Sequence, residues 1–184
     1  LLAVGCFMEA IAAMLVLGTF DLVSGHAASY ERVRATMQAA ADAIGKTLVP
    51  VRTNQMKTRM AASDPKHLAG GSMLAAVALA LERRYARVMT SAAADPRGFD
   101  SATGHPYLTA LRSTRRTRFV EEGFGCSRVA KTEVVARNGA ALAALRVCFM
   151  SGDETNCGEC IKCLRTMVAL EALGELNSGK VTVR

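Results

Sequence analysis

The sequence predicts an α/β protein: a doubly wound, mostly parallel sheet with flanking helices, followed by a C-terminal helical segment tied down by cysteines. Three observations carry that expectation. Short apolar runs alternate with longer amphipathic stretches, as strands do with crossover helices. Four cysteines follow the spacing C-x8-C-x2-C-x2-C between Cys148 and Cys163. The 184 residues are 51% hydrophobic and 21% charged, enough to bury the core of one domain and unlike a disordered chain.

Taken in order, residues 1–4 and 14–17 read as buried strands, as do Thr47–Arg52 and residues 87–90. Residues 29–44 keep Val33, Met37, Ala40 and Ile44 on one face, the spacing of a helix lying on a sheet. Residues 72–85 repeat that pattern after Gly70-Gly71. Beyond residue 91 the pattern loosens into loop chemistry, with Asp95-Pro-Arg-Gly98 and Thr103-Gly-His-Pro106. A short helix follows over residues 131–138. The last helix spans 161–173 and ends near Gly174, with Leu164, Met167, Val168 and Leu170 on its apolar side. In such sheets ligands bind outside the carboxyl ends of the strands. Here those ends are Gly18-Thr19-Phe20-Asp21, Arg52-Thr53-Asn54 and Ser91-Ala92.

Composition excludes several classes. Aromatics at 5% and the absence of Trp argue against a single-strand nucleic-acid binder built on stacking platforms. Six cysteines are too sparse for a small disulfide scaffold. The apolar opening, residues 1–18, has no basic flank, carries Glu9 at its middle and is interrupted by Gly5. It reads as core of a cytoplasmic protein rather than as a membrane span or signal peptide.

The cysteines carry the most chemistry. Cys148, Cys157, Cys160 and Cys163 offer four soft thiolates, which satisfy tetrahedral zinc with no open position. Gly158 lets the Cys157–Cys160 turn curl its N–H groups toward sulfur, and Cys160 and Cys163 lie one turn apart at a helix start. A redox C-x-x-C pair would not need a third and fourth cysteine in register; two disulfides are the other alternative. Structural zinc is therefore expected, with Cys6 and Cys126 left as thiols without catalytic duty. The charge of +7, from 23 basic and 16 acidic residues, permits a nucleic-acid partner. Four thiolates and one divalent ion together carry about −2, which weakens that case.

The cysteine spacing followed by Leu164-Arg165 resembles the C-terminal zinc site of the 7-cyano-7-deazaguanine synthase family, within the PP-loop ATP pyrophosphatase superfamily. The string Asn156-Cys-Gly-Glu-Cys-Ile-Lys-Cys-Leu-Arg-Thr-Met167 looks still more like an uncharacterised branch of it. Lys131-Thr-Glu-Val-Val135 is similar to the family's K-x-E-I-V motif, whose Lys lies near the ATP phosphates. Gly70-Gly71-Ser72 falls where the synthases open a helix at the nucleotide site, and Thr103-Gly-His-Pro106 falls where their substrate loop lies. The resemblance implies a nucleotide-binding domain over residues 1–147 and a zinc segment over 148–184. It also implies an ATP-dependent, Mg²⁺-requiring ligase, expected to be homodimeric. Such an enzyme adenylates a carboxylate or amide oxygen, releases pyrophosphate, and lets a nitrogen or sulfur nucleophile displace AMP. The family's S-G-G-x-D-S loop should follow residues 1–4, yet Val4 is followed by Gly5-Cys6-Phe7-Met8-Glu9. The stretch before Met14 is also shorter than a crossover, which takes roughly 10–12 residues. With Leu1 rather than Met in first place, a processed chain, a fragment or a chain with residues omitted is expected.

The candidate nucleotide contacts are Gly18, Thr19, Phe20, Asp21, Gly71, Ser72 and Lys131. Lys131 would neutralise charge developing on the leaving pyrophosphate; the alternative for a lone Lys at a helix start is a solvated side chain. Asp21 fits ribose or Mg²⁺ as well as it fits a turn. His105, between Gly104 and Pro106, is a candidate general base or substrate contact, or a plain turn histidine. His26 and His67 carry no assignment. Arg112, Arg115, Arg116 and Arg118 could grip the phosphates of ATP or of a tRNA, or form a solvated face. Two rival readings stay open: a tRNA-thiolating relative, and a zinc-stabilised binding module that does not hydrolyse ATP. Resequencing across residues 1–20 is expected to reveal further residues between Val4 and Gly5; a contiguous Val4–Gly5 bond would refute the omission.

Overall fold

The computed structural model describes residues 13–18, 27–59, 70–92, 106–148, 150 and 155–176. It has mixed helix and strand content with small parallel sheets, and the chain divides into two compact units. One unit joins residues 1–52 with 129–184; the other spans 53–128. The expected first strand, residues 1–4, and the loop expected after it lie outside the described residues, as do Cys6 and residues 95–105.

In the first unit, β1 (Ala13–Gly18) pairs in parallel with β2 (Thr47–Arg52), in the register Ala13↔Thr47 to Gly18↔Arg52. The two strands are joined by α1 (Ala27–Ala43), so they form a strand–helix–strand crossover. Helix α1 half-buries Val33 and Met37 and buries Ala40, the face expected from its spacing, and adds Tyr30, which is 6% exposed. The guanidinium of Arg52, at the carboxyl end of β2, stacks 5.2 Å from the Tyr30 ring centre. Burial, with help from the neighbouring Glu31 charge, raises the Tyr30 phenol above its ordinary value. Pro50 is tolerated inside β2 because, among the described residues, that strand pairs on one side only.

Among the described residues, three more helices belong to this unit: α4 (Arg128–Ala136), α5 (Gly139–Ala143) and α6 (Ile161–Ala172). Ala136, Leu142 and Leu170 form their shared core, with Leu142 and Leu170 wholly buried. Asn138 does not end α4, as its position suggested; its side chain caps α5 by accepting the Ala141 N–H at 2.9 Å. Helix α6 stops as the sequence implied. Gly174 takes φ 73°, so Gly174 N–H reaches Glu171 O at 2.9 Å and Glu175 N–H reaches Leu170 O at 2.8 Å. Its buried face differs from the expected one. Cys163, Thr166, Ala169 and Leu170 are buried, whereas Leu164 and Val168 are 45% and 70% exposed. Hydrophobicity alone favoured Leu164 and Val168, but the helix is rotated to turn Cys163 inward.

In the second unit, β3 (Arg87–Ser91) pairs in parallel with β4 (Arg118–Glu122), in the register Arg87↔Arg118 to Ser91↔Glu122. Helix α2 (Gly70–Ala80) lays Ala75, Ala78 and Leu79 against Phe119 and Val88. It ends before the expected residue 85, because Leu81 to Arg84 close tight turns, such as Leu81 N–H to Ala78 O at 3.0 Å. The short helix α3 (Pro106–Leu111) and strand β4 were not expected, since the stretch around them read as loop and basic run. Hydroxyls organise that run. Thr117, fully buried, donates to Tyr85 O at 3.0 Å, and Ser113 Oγ accepts the Phe119 N–H at 3.0 Å.

Truncating Leu170 to Ala is expected to destabilise the protein by about 2–5 kcal/mol, because the side chain is wholly buried against Ala136 and Leu142. Val168→Ala should change stability by less than about 0.5 kcal/mol. Urea midpoints at constant m value read both; the reverse order would restore the face expected from hydrophobicity.

Candidate metal centre

The centre is built from two chain segments. Cys157, Cys160 and Cys163 lie on one short stretch that turns and enters α6. Gly158 takes φ 74°, which a side chain disfavours, and so allows the turn that brings the Cys160 N–H to the Cys157 sulfur at 3.3 Å. Cys160 is the N-cap of α6 and Cys163 sits in its first turn. Cys148 arrives from the irregular segment after α5 and is 2% exposed, with the Met150 N–H 3.3 Å from its sulfur.

All four sulfurs lie within 4.8 Å of one another. Cys157 and Cys163 are 3.9 Å apart and Cys160 and Cys163 are 3.4 Å apart. A disulfide would require about 2.05 Å, and none of these cysteines is disulfide-bonded. Four sulfurs at tetrahedral Zn–S bonds of about 2.3 Å would sit about 3.8 Å apart, a value that the two separations bracket. The donor set and its spacing therefore fit one metal ion such as zinc, and none of the four sulfurs is at disulfide distance from another.

Electrostatics differ across the cluster. The Cys163 thiol is pushed up to about 12, chiefly by burial and then by its sulfur neighbours Cys160 and Cys157, against the pull of the Gly158 N–H. The Cys160 thiol is drawn below its ordinary value, first by the Cys163 N–H and further by the N–H of Lys162. Those N–H groups face its sulfur without closing a formal capping hydrogen bond. The positive end of α6 thus acts on the more accessible sulfur.

One residue of the centre was not singled out from the sequence. Asn156 is 4% exposed, and its Oδ1 accepts the N–H groups of Val147 at 2.9 Å and Cys148 at 3.2 Å. Its Nδ2 donates to Leu145 O at 2.9 Å. The available signal was an amide side chain directly preceding the first cysteine of a C-x-x-C turn.

Of the remaining candidates, Gly18 and Lys131 belong to the first unit and Gly71 and Ser72 to the second. Gly18 closes β1 beside Arg52, while Thr19, Phe20, Asp21 and His105 lie outside the described residues. Lys131 is half-buried on α4. Gly71 is buried and Ser72 exposed in the first turn of α2. The Arg112 guanidinium covers Gly71 so closely that an added Cβ would meet Nη2 at 2.5 Å. Arg112 also donates to Thr109 Oγ1 at 3.5 Å, and Thr109 donates to Glu121 Oε2 at 2.8 Å. Arg115, Arg116 and Arg118 are exposed. Among the described residues, no helix is long and apolar enough to cross a membrane.

No family model, curated protein or solved structure matches the chain.

Zinc added to the reduced, metal-free protein is expected to bind at about one equivalent and to release protons. Cys163→Ser should abolish binding; elemental analysis and proton release report both. Its pH dependence follows from the thiols, which must ionise to bind, so apparent affinity falls as pH falls, about tenfold per unit for each proton displaced. The metal-free fold has the opposite sensitivity. The raised Cys163 thiol stabilises it fully below the unfolded thiol value of about 8.5, and that contribution is lost as pH rises toward about 12. Melting temperatures with and without a chelator, measured across pH, should therefore diverge in opposite directions.

Proposed function

We propose that the chain is an ATP-dependent adenylating enzyme of the PP-loop type, stabilised by a structural zinc ion. One observation carries the reading: the C-x8-C-x2-C-x2-C thiols converge in the same compact unit that holds the parallel β1–α1–β2 crossover. That combination is what the resemblance to the 7-cyano-7-deazaguanine synthase family implies, and a doubly wound strand order belongs to the same proposal.

Cys148, Cys157, Cys160 and Cys163 would hold the zinc. Four thiolates leave no coordination position open, so the ion supplies rigidity and no chemistry. A carboxylate or amide oxygen of a small substrate attacks the α-phosphorus of ATP, and pyrophosphate leaves. A nitrogen nucleophile then displaces AMP to give an amide, or a sulfur nucleophile to give a thiocarbonyl; where an amide oxygen has been adenylated, loss of AMP together with the remaining N–H proton gives a nitrile. Mg²⁺, when bound, supplies charge neutralisation at the phosphates. Among this chain's residues, the Lys131 ammonium is suited to balance charge on the leaving pyrophosphate. His105 is proposed to accept a proton from the nucleophile.

The exposed Arg115, Arg116 and Arg118 favour a second reading, in which the substrate is a tRNA base.

ATP–pyrophosphate exchange separates these readings. The zinc-loaded natural protein, at its full length, is expected to exchange label in the presence of one member of a carboxylate and amide panel. Lys131→Ala should slow exchange by about 10²–10³-fold while leaving the metal content unchanged. Exchange that requires tRNA supports the second reading. Its absence under every condition overturns adenylation and leaves a zinc-stabilised binding module.

A further inference from the structure

Resting on the reading that the four thiols hold a metal, we propose that Asn156 is the positioning residue that makes the centre a four-thiolate rather than a three-thiolate site. Cys157, Cys160 and Cys163 need little outside help. One tight turn and the first turn of a helix fix them, and their spacing is local. Cys148 has neither support: it lies in neither a helix nor a strand and is remote in sequence from the other three.

The Asn156 amide bridges that gap. It takes two backbone N–H groups with one oxygen and satisfies one backbone carbonyl with its nitrogen, so a single planar group spans Leu145, Val147 and Cys148. Because Asn156 immediately precedes Cys157, the same residue fixes both segments of the centre. Among side chains of this length an amide alone offers acceptor and donor together; Asp lacks the donor, and Ser is too short to span the three groups. Its removal leaves backbone polar groups of a buried segment without these partners, which costs more than the bonds themselves contribute. Groups that hold metal ligands in place commonly change metal affinity by about 10–100-fold when mutated.

Cobalt(II) is the probe, because its sulfur-to-metal charge-transfer absorption scales with the number of thiolates bound and its d–d bands report tetrahedral geometry. The wild-type chain is expected to give a four-thiolate spectrum. Asn156→Ala should lower the charge-transfer intensity by about a quarter and weaken cobalt binding by about 10–100-fold. In that variant, loaded with metal, Cys148 should become open to alkylation while Cys157, Cys160 and Cys163 stay protected. Asn156→Asp, which keeps the acceptor atoms, should recover most of the charge-transfer intensity. If Asn156→Ala does not fold, Asn156→Ser carries the same test. A substituted protein with the wild-type spectrum, affinity and Cys148 protection, and only a lowered melting temperature, overturns the proposal. A wild-type chain that develops no charge-transfer band at all removes the metal reading itself, so the two failures are told apart.

Discussion

Four thiols packed within 4.8 Å cannot all ionise without a cation among them, and the first unit is organised around that constraint. Like charges at this range repel strongly, the more so where water is excluded. Without a metal Cys163 holds its proton, its thiol raised chiefly by burial. A divalent ion bound among the four sulfurs would replace their protons and turn mutual repulsion into common attraction. The folding free energy of the segment is then bound up with the ion, as in other small thiolate sites.

The same constraint sets the rotation of α6. Cys163 must face its partners, and Leu170, seven residues later on the same side, is thereby delivered to Leu142 and Ala136. Ile161, Leu164 and Val168 are left on the outer side as a consequence. Thiol cluster and apolar core are therefore one structure: moving the Cys163 thiol would withdraw Leu170, and emptying the Leu170 site would loosen the helix that presents two of the four sulfurs.

The second unit is held differently. Its strands meet a helix lined with small residues, Ala75 and Ala78, which lets Phe119 approach closely. Around them polar side chains fix the irregular backbone. Ser113 and Thr117 set the entry to β4, Gln55 donates to Met73 O at 3.1 Å, and Arg112 lies over Gly71. What reads in the sequence as a run of arginines is structurally a turn held by hydroxyls, with one arginine folded onto a glycine and the others in solvent.

Legibility followed how local each cause was. Strand β2 could be read from its apolar run Leu48 to Val51, and β3 from the shorter pair Val88-Met89, each bounded by polar residues. Strand β4 could not, since one buried side chain, Phe119, carries it amid charges, and distant hydroxyls set its position. The helix ends at Gly174 and the turn at Gly158 were legible because a positive φ is a local demand. The sequence by itself determined which residues could make parallel strands, which helices could cover them, and that four thiols were spaced to share an ion. Only the tertiary structure decided how Cys148 is held beside the other three and which face of α6 is buried. The physical reason is range. Three sulfurs are placed by bonds between near neighbours, but the fourth is placed by the buried side chain of Asn156, eight residues further along, and no periodicity records that hydrogen bond.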